Sequence, residues 1–440
     1  ENRMRLPVEV VRRVREAVGE NFIIIYRLSM LDLVEGGSSF EEIVMLGKAI
    51  EKAGATLINT GIGWHEARIP TIATKVPRAA FTWVTARFRK ELSVPVVTSN
   101  RINTPEVAEE VLNRGDADMV SLARPFLADA EFVKKAAEGR SDEINTCIGC
   151  NQACLDHVFN GQMTSCLVNP RACHETLLNL APATTIKKLA VVGAGPAGLA
   201  FATSAAGRGH NVTLFEAAAE IGGQFNLAKQ IPGKEEFYET LRYYKRQIEL
   251  TGVKLRLNTR VSAEELDNSD FDEVILATGI APRIPEIDGI EHPKVLSYLE
   301  VLRDKAEVGE KVAIIGAGGI GFDVAEYLTH EGVSTSQNIP AFMREWGVDM
   351  TLTARAGVEG VEARPEPSKR SVTLLQRKSS KPGAGLGKTT GWIHRLGLQK
   401  RGVAMIRGCN YQKIDDRGLH VLVDEEPKLF EVDNVIICAG

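Results

Sequence analysis

Four of the seven cysteines fall within twenty residues, as Cys147-Ile-Gly-Cys150-Asn-Gln-Ala-Cys154 followed by Cys166, a C-x2-C-x3-C-x11-C spacing. Soft thiolates at such short intervals converge readily on one metal centre. Structural zinc and an iron–sulfur cluster both accept four of them. Zinc sites tend to pair two short knuckles across a spacer. Here three cysteines form one knuckle and a distant fourth completes the set, which suits a cubane better. Cys173 lies outside the pattern and reads as a bystander.

Two further stretches have the residue types for binding a dinucleotide. Lys187-Lys-Leu-Ala-Val-Val-Gly193-Ala-Gly195-Pro-Ala197-Gly198 reads as a strand, a glycine turn and the start of a helix, and Glu216 ends the next apolar strand. Glycines there permit a tight turn and close approach of a pyrophosphate to the helix N-terminus, while the carboxylate accepts from a ribose hydroxyl. Gly222-Gly-Gln224 follows, and Ala277-Thr-Gly279 after another apolar strand resembles the second signature of FAD-type disulfide-reductase folds, so this first turn is assigned to FAD. Lys311-Val-Ala-Ile-Ile-Gly316-Ala-Gly318-Gly-Ile-Gly321 repeats the pattern. At the end of its second strand the expected acid is absent and Gln376-Arg377-Lys378 stands instead. Two cations at that place suit a 2′-phosphate, so NADPH is expected over NADH.

Elements that could position such residues are legible upstream. Short apolar strands at Phe22–Tyr26, Thr56–Asn59, Val94–Thr98 and Met119–Leu122 alternate with helical stretches such as Phe40–Ala53 and Thr104–Asn113, the latter opening on a Thr-Pro-Glu cap. Repeated βα units mean an α/β architecture with parallel strands, either a small open sheet or half of an eight-stranded barrel. In a barrel, function sits just after the strands' C-terminal ends. Those positions read Arg27, Gly61–Arg68, Ser99-Asn-Arg101 and Ala123-Arg124. Arginines and a histidine at successive strand ends form a pattern for a large anionic ligand, with Arg101 and Arg124 where barrels place a phosphate.

Glu1-Asn-Arg-Met-Arg, Tyr26-Arg27-Leu-Ser, Gly63-Trp-His65-Glu66-Ala67-Arg68-Ile-Pro-Thr and Ala117-Asp-Met-Val-Ser-Leu-Ala123-Arg124-Pro are similar to the second half of an old-yellow-enzyme-type flavin barrel. With the cysteines and both nucleotide motifs, essentially the whole chain resembles bacterial NADPH-dependent 2,4-dienoyl-CoA reductases. The resemblance implies the second half of a (β/α)8 flavin barrel, an iron–sulfur segment and two Rossmann-like domains. It implies FMN held by Arg27, Arg101, Ala123 and Arg124. It also implies proton donation involving His65, with Glu66, Ala67 and Arg68 at the substrate mouth, and a [4Fe–4S] cluster on Cys147, Cys150, Cys154 and Cys166. The implied activity is reduction of unsaturated fatty acyl-CoA in β-oxidation. A related 2-enoate reductase or amine dehydrogenase, or an NADPH diaphorase module passing electrons to another protein, are the alternatives. Family members use a tyrosine donor from the barrel's first half, which this stretch does not contain.

The expected organisation is a barrel half over 1–145, the cluster segment and linker over 146–185, an FAD-binding domain over 186–300, an inserted NADPH-binding domain over 301–405, and a return to the FAD-binding domain over 406–440. The segment from about Ser334 to Ser368 reads as an exposed polar excursion. Both ends look cut, so an internal piece of a longer protein is expected, inactive in dienoyl reduction by itself. At 440 residues, 44% hydrophobic and 25% charged, with net charge −4, the chain has a globular composition spread over two to four domains. A pI near 6.2 argues against a nucleic-acid or anionic-membrane partner. No apolar run is long enough to span a membrane, and clustered cysteines suit a reducing cytoplasm.

Overall fold

The computed structural model describes residues 2–439. The chain forms two compact units. One comprises the chain up to Phe126 together with Val333–Glu366; the other comprises Leu127–Gly332 and the chain from Pro367 on.

The first unit is built on four parallel strands, β1 (Ile25–Leu31), β2 (Leu57–Ile62), β3 (Val96–Thr98) and β4 (Met119–Val120), in the order β1-β2-β3-β4. This is the arrangement of consecutive βα units. The helix Phe40–Ala53 begins where Ser39 and Glu42 form a reciprocal capping box, and it ends at Gly54, whose φ of 111° favours glycine. Its Gly47 lies so close to the Phe88 ring that a Cβ would come within 2.5 Å. Thr104 caps Pro105–Asn113 by accepting from the Val107 N–H.

The first strand corrects the sequence reading. Phe22, Ile23 and Ile25 are exposed, and pairing with β2 runs from Ile25 to Leu31. Arg27 therefore sits within β1, opposite Asn59, and not past its end. An apolar run alone did not fix the register, because the polar residues Arg27 and Ser29 belong to the strand as well.

Residues 333–366 also depart from expectation. They are not an exposed excursion. The helix Ile339–Trp346 buries Phe342, Met343 and Trp346, and the segment belongs to the first unit. Leu33 N–H donates to Ala356 O (3.1 Å), Ala356 N–H donates to Ser38 O (3.1 Å), and Arg355 pairs with Glu42 (2.7 Å). Asp349 shapes the docking turn, accepting from the N–H groups of Thr351 (2.8 Å), Thr353 (2.9 Å) and Ala354 (2.8 Å). Burial pushes its carboxyl up, but these backbone donors and the two threonine hydroxyls outweigh it and hold the group well below the usual aspartate range. A depressed carboxyl contributes stability above its unfolded pKa and loses it as the pH falls further. Acidification below about pH 4, or Asp349→Ala at neutral pH, is thus expected to open residues 349–357 to limited proteolysis. Equal cleavage at pH 7 and pH 3 would sink this account.

In the second unit, β5 (Lys188–Val192), β6 (Asn211–Phe215), β7 (Lys254–Arg256) and β8 (Glu273–Leu276) form a parallel sheet in the order β7-β6-β5-β8. A second sheet uses β9 (Val295–Ser297), β10 (Lys311–Ile315), β11 (Ser371–Leu375) and β12 (Ala404–Ile406). Next come the antiparallel strands β13 (Cys409–Asp415), β14 (Gly418–Val423) and β15 (Glu426–Phe430), and then β16 (Asn434–Ile437). The order of the second sheet is β12-β11-β10-β16-β9, with β16 parallel to β10 in the register Val312↔Asn434. Cys409, Ile414, Leu419 and Val421 share a core with Ala313, Ile315, Val435 and Ile437. Residues 406–439, expected as part of a return to the first domain, accordingly complete the second dinucleotide-type domain, and that domain already begins by β9, ahead of residue 301. The misreading arose because the same signature ends both modules: Ala277-Thr-Gly279 follows β8 as Cys438-Ala-Gly440 follows β16 in sequence.

Among the described residues no helix is long and apolar enough to cross a membrane.

Candidate active site

The loop after β2 carries His65. Its anchor is Asp32, just past β1 and only 2% exposed. Asp32 Oδ1 accepts from Trp64 Nε1 (2.8 Å) and Ser29 Oγ (2.8 Å), Oδ2 accepts from the Ser38 N–H (2.7 Å), and its carbonyl accepts from the Trp64 N–H (3.1 Å). With Trp64 pinned, His65, Glu66 and Arg68 are exposed, while Ala67 turns inward and is buried. Asp32 was not singled out from the sequence, since placing β1 too early hid the fact that an acid follows the strand. Asp32→Ala should cost about 2–3 kcal/mol, because buried donors lose their acceptor. Trp64 emission should shift to the red; a variant with unchanged melting and emission would show that the loop is held otherwise.

Arg101 and Arg124 are brought to one loop, between β2 and the helix Thr82–Arg89. Arg101, 5% exposed and with a left-handed φ of 57°, donates Nε to Val76 O (2.9 Å). Arg124, at the start of the helix Arg124–Ala128 next to exposed Ala123, donates to Ile72 O (2.7 Å). Asn100, also left-handed at φ 72°, donates to Thr71 O (3.2 Å). Two consecutive non-glycine residues in this region carry strain that the surrounding hydrogen bonds hold in place. Arg27 is exposed within β1, opposite Asn59 on β2.

In the second unit, Cys147 is buried and Cys150, Cys154 and Cys166 are half-buried, all as free thiols, while Cys173 is exposed. Cys154 rides on the π-helical turn Gln152–Asp156, entered through Asn151 at φ 61°. The Ser165 N–H donates to Ala153 O (2.7 Å), bringing the fourth cysteine's segment back to the turn. Burial pushes the Cys150 thiol up to about 12, with the charges of Cys147, Cys154 and Cys166 adding to it against one favourable backbone donor at Gln152. Burial, then the fields of Cys147 and Cys154, likewise push Cys166 up to about 11, against backbone donors at Val168 and Asn169. Among the described residues, no group of three or more His, Cys, Asp or Glu side chains is arranged to hold a metal ion.

The first glycine turn faces a cavity of 440 Å³ bordered by Gly193, Gly195, Ala197, Glu216, Gln224 and Thr278. A Cβ on Gly193 would lie 2.3 Å from Ala277 O, and one on Gly198 would lie 1.8 Å from Gly193 O, whereas Gly195 has nothing within 4 Å and opens to the cavity. Glu216 accepts the Ala194 and Ala218 N–H groups, each at 2.8 Å, so its carboxylate is fixed at the rim. The second turn repeats this geometry. Cβ atoms would lie 2.2 Å from Cys438 O at Gly316 and 1.8 Å from Gly316 O at Gly321, with Gly318 open. Its cavity, 990 Å³, is bordered by Gly316, Gly318, Arg377, Lys378 and Tyr411 among others. Arg377 and Lys378 thus line the same cavity as the glycine turn. Tyr411 was missed, because it reaches the cavity from the antiparallel strand β13 and no local motif marks it.

These cradles accord with dinucleotide binding, and the comparisons agree. The NADH:flavin oxidoreductase / NADH oxidase family model matches residues 1–143, and the pyridine nucleotide-disulphide oxidoreductase model matches residues 187–440. A metal reductase of Desulforamulus reducens is 34% identical over all of this chain and 65% of its own length. A cinnamate reductase of Clostridium sporogenes is 32% identical over 76% of this chain and 52% of its own. The solved structure of a 2-naphthoyl-CoA reductase in complex with 2-naphthoyl-CoA superposes with a TM-score of 0.87 at 30% identity, over all of this chain and 62% of that one. The chain spans about two thirds or less of the length of these relatives. The chain is α/β and belongs to the pyridine nucleotide-disulphide oxidoreductase family, whose model matches residues 187–440, with residues 1–143 matching the NADH:flavin oxidoreductase / NADH oxidase model.

Proposed function

We propose that this protein uses NADPH to reduce a conjugated carbon–carbon double bond in an acyl thioester, a 2,4-dienoyl-CoA of unsaturated fatty-acid β-oxidation. The observation that carries the reading is the His65 loop, an exposed acid–base side chain at a strand end, locked through Trp64 onto buried Asp32. Similarity along the whole chain to a reductase crystallised with an aryl-CoA thioester supports the substrate class.

NADPH, FAD, a [4Fe–4S] cluster and FMN would supply the electron chemistry, which protein side chains cannot supply themselves. Gly316, Gly318, Gly321, Arg377 and Lys378 would hold NADPH, the last two on its 2′-phosphate. Gly193, Gly195, Ala197, Gly198, Glu216 and Gln224 would hold FAD, and Arg27, Arg101, Ala123 and Arg124 would hold FMN. Cys147, Cys150, Cys154 and Cys166 would ligate the cluster. Three cysteines in one knuckle with a distant fourth fit a four-iron centre better than a zinc site built from two paired knuckles. Glu66 and Arg68 would border the substrate, with Ala67 packed beneath. His65 would help deliver the proton that completes the reduction, a general-acid role.

The test is anaerobic NADPH oxidation by the full-length protein with a 2,4-dienoyl-CoA and, separately, with cinnamate. Turnover of the thioester, lowered at least about a hundredfold by His65→Ala, is the expected result. Turnover of cinnamate alone would move the assignment to a 2-enoate reductase, the reading favoured by the cinnamate reductase relative. Oxidation of NADPH with neither consumed would indicate an electron-transfer module.

A further inference from the structure

The segment Lys381–Thr390 has the glycine-rich composition of a loose connector, yet it is tied down at both ends. Near its start the Gly383 N–H donates to Ala317 O (3.2 Å), inside the second glycine turn, and Arg395 donates to Gly383 O (2.9 Å). Gly383 lies against the Phe322 ring, where a Cβ would come within 2.7 Å, and Ala384 and Gly385 border the second cavity. At its far end Asp156, 8% exposed, accepts both the N–H and the hydroxyl of Thr389 on Oδ1, each at 2.7 Å. Lys388 Nζ donates to Phe159 O (2.7 Å). Gly387 leaves room for the carboxylate, since a Cβ there would meet Asp156 Oδ2 at 2.6 Å.

Asp156 is the last residue of the turn that carries Cys154, and its own N–H closes the turn on Asn151 O (2.9 Å). Single π-turns cost helical regularity and persist where a local position has to be held. Here a buried carboxylate on the cysteine turn faces the very loop that borders the second cavity. The hydrogen bonds to Thr389 compensate for its burial.

We infer that Asp156 and Thr389 are positioning residues that fix the cysteine-bearing turn to the loop bordering the second nucleotide cavity. A nucleotide seated there stiffens the turn that holds Cys154, and by linkage a loosened turn weakens nucleotide binding by the same factor. The inference rests on the second cavity being the NADP(H) site, but not on which metal the cysteines hold.

The experiment is hydrogen exchange on the full-length protein with and without NADP+, followed in parallel by NADP+ titration and by the absorbance of bound flavin and iron. NADP+ should slow exchange at residues 153–160 by about fivefold or more, the lower end of measured coupling. Asp156→Ala should abolish that protection and weaken NADP+ binding by a similar factor. Gly387→Ala, which forces the loop off the carboxylate without removing it, should do the same. NADP+ protection at Gly316–Gly318 with none at 153–160 would overturn the inference alone. No protection at either place would overturn the nucleotide assignment and the inference together. Unchanged coupling in Gly387→Ala with its flavin retained would also overturn it.

Discussion

The Arg377→Ala/Lys378→Ala variant should raise KM for NADPH about a hundredfold while changing that for NADH by no more than about threefold, since hydrogen bonds to charged groups each contribute roughly 1.5–3 kcal/mol and exposure trims them to the lower end. Both side chains are exposed at the rim of the cavity that the Gly316 turn opens onto. They are presented by a tight loop after β11, in which the Gln376 side-chain amide donates to the carbonyls of Lys378 (3.1 Å) and Ser380. Gln376 stands at the end of the strand where an acid would have bound a ribose hydroxyl and repelled a phosphate. Gln376→Glu in the double variant should therefore shift preference further, towards NADH. Steady-state kinetics with each nucleotide at fixed acceptor concentration would check this. Equal losses with NADH and NADPH would mean that the pair supports the loop and does not read the phosphate.

The largest stability effect is expected inside the same domain. Glu326, on the helix Gly319–Thr329 that starts at the second glycine turn, pairs with Arg401 at the end of the helix Gly391–Lys400, and both side chains are only 5% exposed. Removing one partner of a buried ion pair leaves a charge without its counter-charge in a poorly polarisable setting, which costs about 3–5 kcal/mol. Arg401→Met should accordingly lower the melting temperature of this domain by roughly 10 °C. Glu326→Leu/Arg401→Met, which removes both charges and keeps the volume filled, should recover most of the loss. A single-variant loss below about 1 kcal/mol would place the pair with ordinary surface salt bridges.

Legibility in the sequence followed the range of the interactions involved. The two glycine turns, and the places of Glu216 and Arg377-Lys378 after the following strands, were readable because strand, turn and helix follow one another locally, and Gly193, Gly198, Gly316 and Gly321 each answer a close approach. The helix Phe40–Ala53 was readable to the residue, since its capping box and terminal glycine lie in its own sequence. Arg27 was misplaced because four apolar residues ahead of it imitate a strand that in fact begins at Ile25. The fate of residues 333–366 and of β16 depends on partners far away in the chain, the β1 loop in one case and β10 in the other. Asp32, Asp156 and Tyr411 went unnoticed for the same reason, since each acts on a segment remote in sequence.

The way β16 closes the second module has a consequence for synthesis on the ribosome. The carbonyl of Cys438 abuts Gly316, and β16 fills the place between β10 and β9. A nascent chain thus emerges with both older strands made and the slot between them vacant until Asn434–Ile437 appear. The first module is under no such delay, because β8 follows its glycine turn before the second module begins. Its site can assemble early, while the second must wait with two unpaired strand edges exposed, an invitation to mispairing. Slowed synthesis or early release between β12 and β16 should therefore yield a protein that holds its first nucleotide, lacks its second and aggregates through β9 and β10.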